Sequence, residues 1–585
     1  MRGFLRKEFL KMKLMLRYLK PFYGKMGIGL TIKTFGTLVE LALPYILSII
    51  LRDVVATENV WRIVLWGLIM MFCSALACAC NICANRMAAK TASNFAQSLR
   101  SDLFSKTMRL SPSQTDNFTI PSLESRITTD TYNLHHFVNM MQRMGVRAPI
   151  LLIGGIAITL FMDSYLALAM IAVLPFIFIT VYFISKKGVP LYTKVQHSVD
   201  KMTRVVREDS QGIRVIKALS KSEHEHDRFD KVNKNLVSDE LRAGITMGAV
   251  NPVMTVLMNL GIVSVIALSA SRVQGGKSDP ETVIAFMQYF TLISMAMMSV
   301  TRIFVMYTKS SASAKRIAEV LDSGQDITLK SEEDFPSVKS GAFISAKDIC
   351  FSYEKNKNDI SHVSFEISKG GSLGIIGATG SGKSTLIKLI MRFYDVDSGG
   401  IYIDGRDIRT IPQSELYGKF GVAMQSDFLY ADTIEENIRF GRDLSHDEIT
   451  AAAKTAQAHD FISAFPEGYS HMLAQHGTNI SGGQKQRILI SRALAAKPEI
   501  LILDDSSSAL DYKTDSNLRR ALKENMHGTT VITVAQRVSS VKNCDTVMVL
   551  DGGRIIGAGT HEELLESCPV YKEISDSQMG GAFVE

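Results

Sequence analysis

Apolar runs close to membrane-crossing length dominate the first half of the chain, and they come in pairs. They lie at 27–51, 64–84, 148–162, 165–184, 246–270 and 282–307. A helix needs roughly 20 apolar residues to span a bilayer. Short connections join the first run to the second, the third to the fourth and the fifth to the sixth. Two long polar stretches, 85–147 and 185–245, separate the pairs; both are charged, helix-favouring and poor in Pro and Gly. Helices that leave the bilayer, continue through these stretches, turn and return account for the pattern most simply. The pattern predicts six long transmembrane helices with two deep extensions on one side.

Charge beside the first run assigns that side. Arg2, Arg6, Lys7, Lys11, Lys13, Arg17, Lys20 and Lys25 are opposed only by Glu8, and basic flanks stay cytoplasmic. Residues 14–20 alternate apolar and basic side chains at helical spacing, which suits an amphipathic helix lying on the inner membrane surface against lipid. The first run is too long for a cleavable leader and ends in no small-residue cleavage site. A basic segment leading straight into an apolar run is not a nucleic-acid arm, so no nucleic-acid partner is expected. Lys33 and Glu40 fall inside the first run, where charge is costly. They line a translocation path or pair near a cavity, with snorkelling to the interface as a further option for Lys33.

From 323 to 340 the chain turns polar, with Gly324, Pro336 and several acids, and reads as a linker. Beyond it, short β-rich runs alternate with helical ones, the mark of a layered α/β domain with a largely parallel sheet. The expected division is an amphipathic N-terminal region at 1–25, a transmembrane domain at 26–322, the linker at 323–340, and the α/β domain at 341–585. Composition agrees: 46% of the 585 residues are hydrophobic and 21% charged, with a mean hydropathy of +0.11. That is too apolar for an ordinary soluble protein and too charged for one lying wholly in lipid. With 14 Pro, 41 Gly and 7 Cys, collagen, long disorder and a disulfide-stapled scaffold are excluded. Cys73, Cys78, Cys80 and Cys83 crowd one apolar run without His or carboxylate neighbours, which reads as small buried thiols rather than a metal site.

The chemistry lies in the second half. Residues 372–376, Ser-Leu-Gly-Ile-Ile, suit a buried strand and feed Gly377, Ala378, Thr379, Gly380, Ser381, Gly382, Lys383, Ser384 and Thr385, followed by an apolar helical stretch. This is a phosphate loop in its strand–loop–helix context. Its glycines let backbone N–H groups curl around phosphate oxygens, and the helix amino end adds positive potential. Lys383 reaches the outer phosphates and the Ser384 hydroxyl ligands Mg²⁺. A second strand pattern, 500–504, ends in Asp504, placed to hold the same Mg²⁺ through water.

Between these motifs, residues 480–487, Ile-Ser-Gly-Gly-Gln-Lys-Gln-Arg, resemble the signature of ATP-binding-cassette proteins. Residues 508–511 look like the family's dimer-contact loop, and 207–217 resemble its coupling segment. Together with the six preceding spans, the chain resembles an exporter half-transporter over essentially its whole length. The resemblance implies an α-helical transmembrane domain of six long helices followed by an α/β P-loop nucleotide-binding domain, with ATP and Mg²⁺ as ligands. It implies that Tyr353 stacks on adenine and that Gln425 contacts Mg²⁺ and links nucleotide to membrane domain. It further implies that Ser481, Gly482, Gly483 and Gln484 cap the ATP held by an opposite subunit.

Two departures bear on mechanism. Hydrolysing cassettes of this family place Glu after the Mg²⁺-binding Asp; here the residue is Asp505, one methylene shorter. The family's switch-loop His is replaced by Gln536, an amide that donates a hydrogen bond but carries no charge. A third, weaker departure is Gln475, where the family's cross-talk loop carries a carboxylate. Binding elements are intact while hydrolytic ones are altered, which resembles the degenerate-site subunit of a bacterial heterodimeric exporter. The expected partner is a half-transporter with Glu and His at these positions, a homodimer being the alternative. The expected location is the bacterial plasma membrane, with the N-terminus and the ATP-binding domain cytoplasmic. The expected cargo is an amphipathic small molecule, lipid or peptide. Met254, Met258, Met287, Phe290 and Met295 either line an adaptable apolar surface or simply pack. A nucleotide-gated regulator and an importer on the same architecture remain alternative functions.

Overall fold

The computed structural model describes residues 14–274, 280–338, 341–355, 358–425 and 428–579. It divides into one unit of Met1–Arg109 with Thr119–Ser323 and another of Leu110–Phe118 with Gly324–Glu585. The principal helices before the linker are α1 (Tyr23–Ile49), α2 (Val60–Thr107), α3 (Pro112–Phe118), α4 (Thr131–Met162), α5 (Ser164–Ala218), α6 (Ser222–Gly248), α7 (Val250–Gln274) and α8 (Pro280–Leu321). At 1.5 Å per residue, the 48 residues of α2 and 55 of α5 make rods of about 72 and 82 Å, more than twice a hydrocarbon core. The polar stretches are thus continuations of the membrane helices, as the pattern predicts.

Among the described residues, five helical stretches are long and apolar enough to cross a membrane: Leu14–Thr57, Val60–Thr107, Ile120–Met162, Ser222–Ala270 and Glu281–Leu321. Ser164–Thr180, on α5, is a shorter apolar stretch at the place of the expected fourth span. Local chemistry sets the turns between them. Asn59 caps α2, its Oδ1 accepting from the N–H groups of Trp61 and Arg62, and Asp163 caps α5 in the same way at Tyr165 and Leu166.

Packing in this unit relies on small residues where helices meet. A Cβ at Gly154 would lie 2.5 Å from Leu41, and one at Gly155 2.8 Å from Ile293; such close approach is the usual basis of helix association in lipid. Leu41, Leu151 and Tyr289 share one buried cluster there, and the Tyr289 hydroxyl donates to the Leu41 carbonyl at 2.8 Å. Lys33 is buried and donates to Asn81 Oδ1 (2.7 Å) and Asn85 Oδ1 (3.2 Å) on α2, while Glu40 holds Arg147 of α4 at 2.6 Å. Both charges within the first run are therefore partnered between helices.

Two expectations need correction here, and one open alternative is decided. The 14–19 segment is helical, but Leu14, Met15 and Leu19 are buried by protein. Tyr18 sits edge-on to Phe95 and donates to Asp102 at 2.7 Å, so α2 rather than lipid covers that face. Residues 1–13 of the expected amphipathic region lie outside the described residues. Cys78 and Cys83 are exposed on α2 rather than buried, with Cys73 and Cys80 half-buried. Met254 and Phe290 belong to a buried cluster with Leu166, Ile177 and Phe286, so they pack; Met295, 55% exposed, does not.

The second unit carries the sheets. Strands β1 (Ile344–Phe351), β2 (Ile360–Ile367) and β3 (Ser372–Ile376) precede α9 (Lys383–Ile390), then β4 (Ser398–Ile403), β5 (Arg406–Asp407) and β6 (Phe420–Ala423). Helix α10 (Gly482–Ala495), β7 (Ile500–Asp504), α11 (Tyr512–Asn525), β8 (Thr530–Val534), β9 (Thr546–Asp551), β10 (Arg554–Gly559) and α12 (Pro569–Met579) complete it. One antiparallel sheet has the order β2-β1-β4-β5 and the other β10-β9-β3-β8-β7-β6, parallel except for β10. Every residue of β7 is buried, which explains its apolar run from Ile500 to Leu503. Helix α3 belongs to this unit, where Asp116 accepts from the Tyr394 hydroxyl at 2.5 Å.

Candidate functional site

Three adjacent strands, β3, β8 and β7, deliver their carboxyl ends to one edge of the sheet. The carboxyl edge of a parallel sheet is where such domains bind ligands. β3 runs into Gly377, β7 into Asp505 and β8 into Ala535 and Gln536. The phosphate loop turns through Gly380 and Gly382, whose φ values of 82° and 100° need residues without a Cβ. Gly377 is required for space instead: a Cβ there would meet the Leu550 carbonyl oxygen at 2.1 Å.

Lys383 opens α9 and is buried; its ammonium donates to the carbonyls of Gly377 (2.8 Å) and Ala378 (2.7 Å). Burial pushes its pKa down, against the pull of Asp505 and Asp504. Ala378, Thr379 and Gly380 form the exposed crest of the loop, while Ser381 is buried and Ser384 and Thr385 half-buried. The Ser384 hydroxyl lies 3.4 Å from Asp504 Oδ1. A hydroxyl beside a buried carboxylate is a hard-oxygen pair of the kind that Mg²⁺ takes, so the residues present fit that ion. Burial lifts the pKa values of both Asp504 and Asp505.

Asp505 adopts a left-handed conformation (φ 49°) and its N–H donates to the Val534 carbonyl; Asp is among the residues that tolerate this geometry. Its Oδ2 accepts from two amides, Gln425 Nε2 at 3.0 Å and Gln536 Nε2 at 3.2 Å. Residues that the sequence places 80 and 31 positions from Asp505 therefore converge on one carboxylate oxygen. With the amide nitrogen of Gln425 so engaged, its carbonyl oxygen is the atom left for a metal.

A cavity of about 400 Å³ joins Thr379, Gly380, Gly382, Lys383, Ser384, Thr385, Gln425, Asp504, Asp505 and Gln536. Asn358, Asp359, Gly552 and Gly553 line it too and were not anticipated. A Gly-Gly turn after an apolar run was the available signal: Gly553 N–H donates to the Ser381 carbonyl at 3.1 Å, which ties the β9–β10 turn to the phosphate loop. Tyr353 does not line this cavity. It is 43% exposed and edge-on to Phe351 (4.9 Å) and Tyr394 (5.1 Å). The Ser481–Gln484 segment lies outside it as well. Ser481 caps the 14-residue α10: its hydroxyl accepts from Gln484 N–H (3.2 Å), and Gln484 Oε1 accepts from Ser481 N–H (2.9 Å). That leaves an exposed helix amino end carrying Gly482 and Gly483, a ready anion site.

The arrangement offers a polyphosphate cradle, hard oxygens for a divalent ion, and a carboxylate where water would attack. Comparisons with known proteins agree. The family profile described as ABC transporter transmembrane region matches residues 26–297, and that described as ABC transporter matches 360–508. The uncharacterized ABC transporter ATP-binding protein YfiB of Bacillus subtilis is 35% identical over 567 residues, covering 97% of this chain and 98% of that protein. The uncharacterized ABC transporter ATP-binding protein Rv1273c of Mycobacterium tuberculosis is 31% identical over 576 residues, covering 98% and 99%. The solved structure of a bacterial Atm1-family ABC exporter with ATP bound shares the fold, with a TM-score of 0.79 at 22% identity over 97% of this chain and 99% of that one. The chain belongs to the ABC transporter family, with a helical transmembrane domain fused to one ATP-binding domain in the fold of an ABC exporter half-transporter.

Proposed function

We propose that this chain is one half of a heterodimeric exporter whose own ATP site binds ATP·Mg²⁺ but hydrolyses it poorly. The observation that carries the reading is the double amide tie on Asp505, with Gln425 and Gln536 both donating to Oδ2. A carboxylate one methylene short, with both of its neighbours neutral, is poorly placed to orient water; a misplacement of about 1 Å costs on the order of 100-fold in rate. Bound Mg²⁺, held by Ser384, Asp504 and Gln425, would neutralise charge on the outer phosphates. Lys383 leaves its own loop carbonyls to meet those phosphates, Tyr353 stacks on the base, and the loop from Gly377 to Thr385 supplies backbone donors.

The Ser481–Gln484 helix end then serves the hydrolysing site built on the partner's nucleotide. The chain works in the bacterial plasma membrane with its ATP-binding domain cytoplasmic, moving an amphipathic small molecule, lipid or peptide outward. The test uses the co-purified pair at saturating ATP. Ser481→Ala removes a donor from the competent site, where one such loss costs on the order of 10²–10³ in rate. Asp505→Asn alters only the impaired one. ATPase activity falls steeply with the first and slightly with the second; equal, severe losses would overturn the asymmetry.

A further inference from the structure

The last turn of α12 holds the loop that carries Gln536. Gln578 Nε2 donates to the Gln536 carbonyl at 2.9 Å, and Gln578 Oε1 accepts from the Val538 N–H at 2.8 Å. A side-chain amide that pairs with a carbonyl and an N–H two residues apart fixes the orientation of the peptides between them, much as a neighbouring strand would. Helix α12 is itself anchored. Tyr571 is fully buried in a cluster with Ile376, Ala535, Val538 and Leu564, and its hydroxyl pairs with His561 Nδ1 at 2.8 Å. Ile376 is the last residue of β3 before the phosphate loop, and Ala535 directly precedes Gln536. One helix therefore backs both the strand behind the phosphates and the loop opposite them. The Gln536 backbone is clamped from outside while its side chain reaches inward to Asp505.

We infer that Gln578 is a positioning residue for the nucleotide. By holding residues 536–538 it aims the Gln536 amide at the outermost phosphate and sets this site's preference for a nucleoside triphosphate over a diphosphate. The inference rests on the reading of Gln536 as the phosphate-facing residue of the site proposed above. Loss of the clamp leaves Gln536 in place and removes only its direction, so the effect falls on ATP and spares ADP.

The experiment uses the full chain in lipid nanodiscs, with ATP·Mg²⁺ and ADP·Mg²⁺ titrations, amide exchange at Val538, and thermal melting. Gln578→Ala is expected to speed exchange at Val538 about fivefold, the scale of one exposed hydrogen bond lost. It is expected to lower the ATP-over-ADP preference severalfold, with ADP affinity and the melting temperature unchanged. Gln578→Glu keeps an acceptor for Val538 and loses the donor to Gln536, so it restores the exchange protection but not the full preference. Tyr571→Phe, on the same helix, leaves the preference intact. Unchanged exchange at Val538 in Gln578→Ala, or equal weakening of ATP and ADP, would overturn the inference. Fast turnover at this site would instead sink the impaired-site reading and leave the exchange result standing.

Discussion

Lengthening the carboxylate at 505 should restore hydrolysis, and the structure sets the size of the gain. Glu carries its oxygens about 1–1.5 Å further than Asp, which corrects a misplacement on the order of 100-fold in rate, or about 2.7 kcal/mol. The longer side chain gives up the hydrogen bond from Gln536, 3.2 Å away in the present geometry, at about 1 kcal/mol. Asp505→Glu alone should then gain roughly twentyfold, the remaining 1.7 kcal/mol at about 1.4 kcal/mol per decade. Adding Gln536→His supplies an imidazole that can carry charge and should bring the gain to the order of 100-fold. The assay is phosphate release at saturating ATP·Mg²⁺ by the co-purified pair in nanodiscs with the partner's own site inactivated, and with Lys383→Ala in this chain subtracted as background. Two results would refute the reasoning: wild-type turnover already equal to that of the double variant, or a double variant that binds ATP normally and gains nothing.

Other outcomes follow from the same geometry. Lys383→Ala removes a charged donor facing the phosphates and should weaken ATP binding about 10- to 100-fold, read by nucleotide titration; an unchanged affinity would exclude the phosphate role. Burial lifts the Asp504 pKa, so the folded state holds that proton more tightly than the unfolded chain and loses stability as the pH rises through the lifted value. Asp504→Asn should accordingly raise the melting temperature of the nucleotide-free protein at pH 7 and by less near pH 4, the ordinary carboxylate range; equal gains would contradict the burial cause. Glu40→Gln leaves Arg147 without its counter-charge and should cost about 1–3 kcal/mol. Most of that should return in Glu40→Gln/Arg147→Met, whereas additive losses in thermal melts would deny the pairing. In a cysteine-free background, a Cys at Glu58 should label from outside intact cells and one at Ser222 should not; the reverse would invert the topology.

The parts legible in the sequence are those whose partners are close along the chain or whose function needs a fixed residue type. The phosphate loop is nine consecutive residues on one strand–helix junction, so its context is visible at once. The spans show themselves because lipid demands long apolar runs. Periodicity alone does not tell which neighbour covers an apolar face. The pattern of residues 14–20 therefore points to lipid, whereas Phe95 and Asp102 meet Tyr18 on that face. Conversely, the four thiols of α2 do not all turn inward. Met254 of α7 and Met295 of α8 read alike in the sequence, yet the first is buried among side chains of other helices and the second is exposed. At the site, Asp505 and Gln536 stood out through their residue types. Gly553 and Gln578 did not, since each acts through a contact with backbone far along the chain.

The strand-end placement of the chemistry has an evolutionary consequence. Val534 pairs with Asp504 as the last rung of the β7–β8 ladder, and Asp505 and Gln536 stand just beyond it. The residues to which we assign the choice between holding ATP and cleaving it thus lie outside the paired, buried part of the sheet. A lineage could exchange them without disturbing the fold that recognises nucleotide. Two duplicated copies of such a gene could drift into unequal partners, one keeping the reaction and the other keeping only the grip.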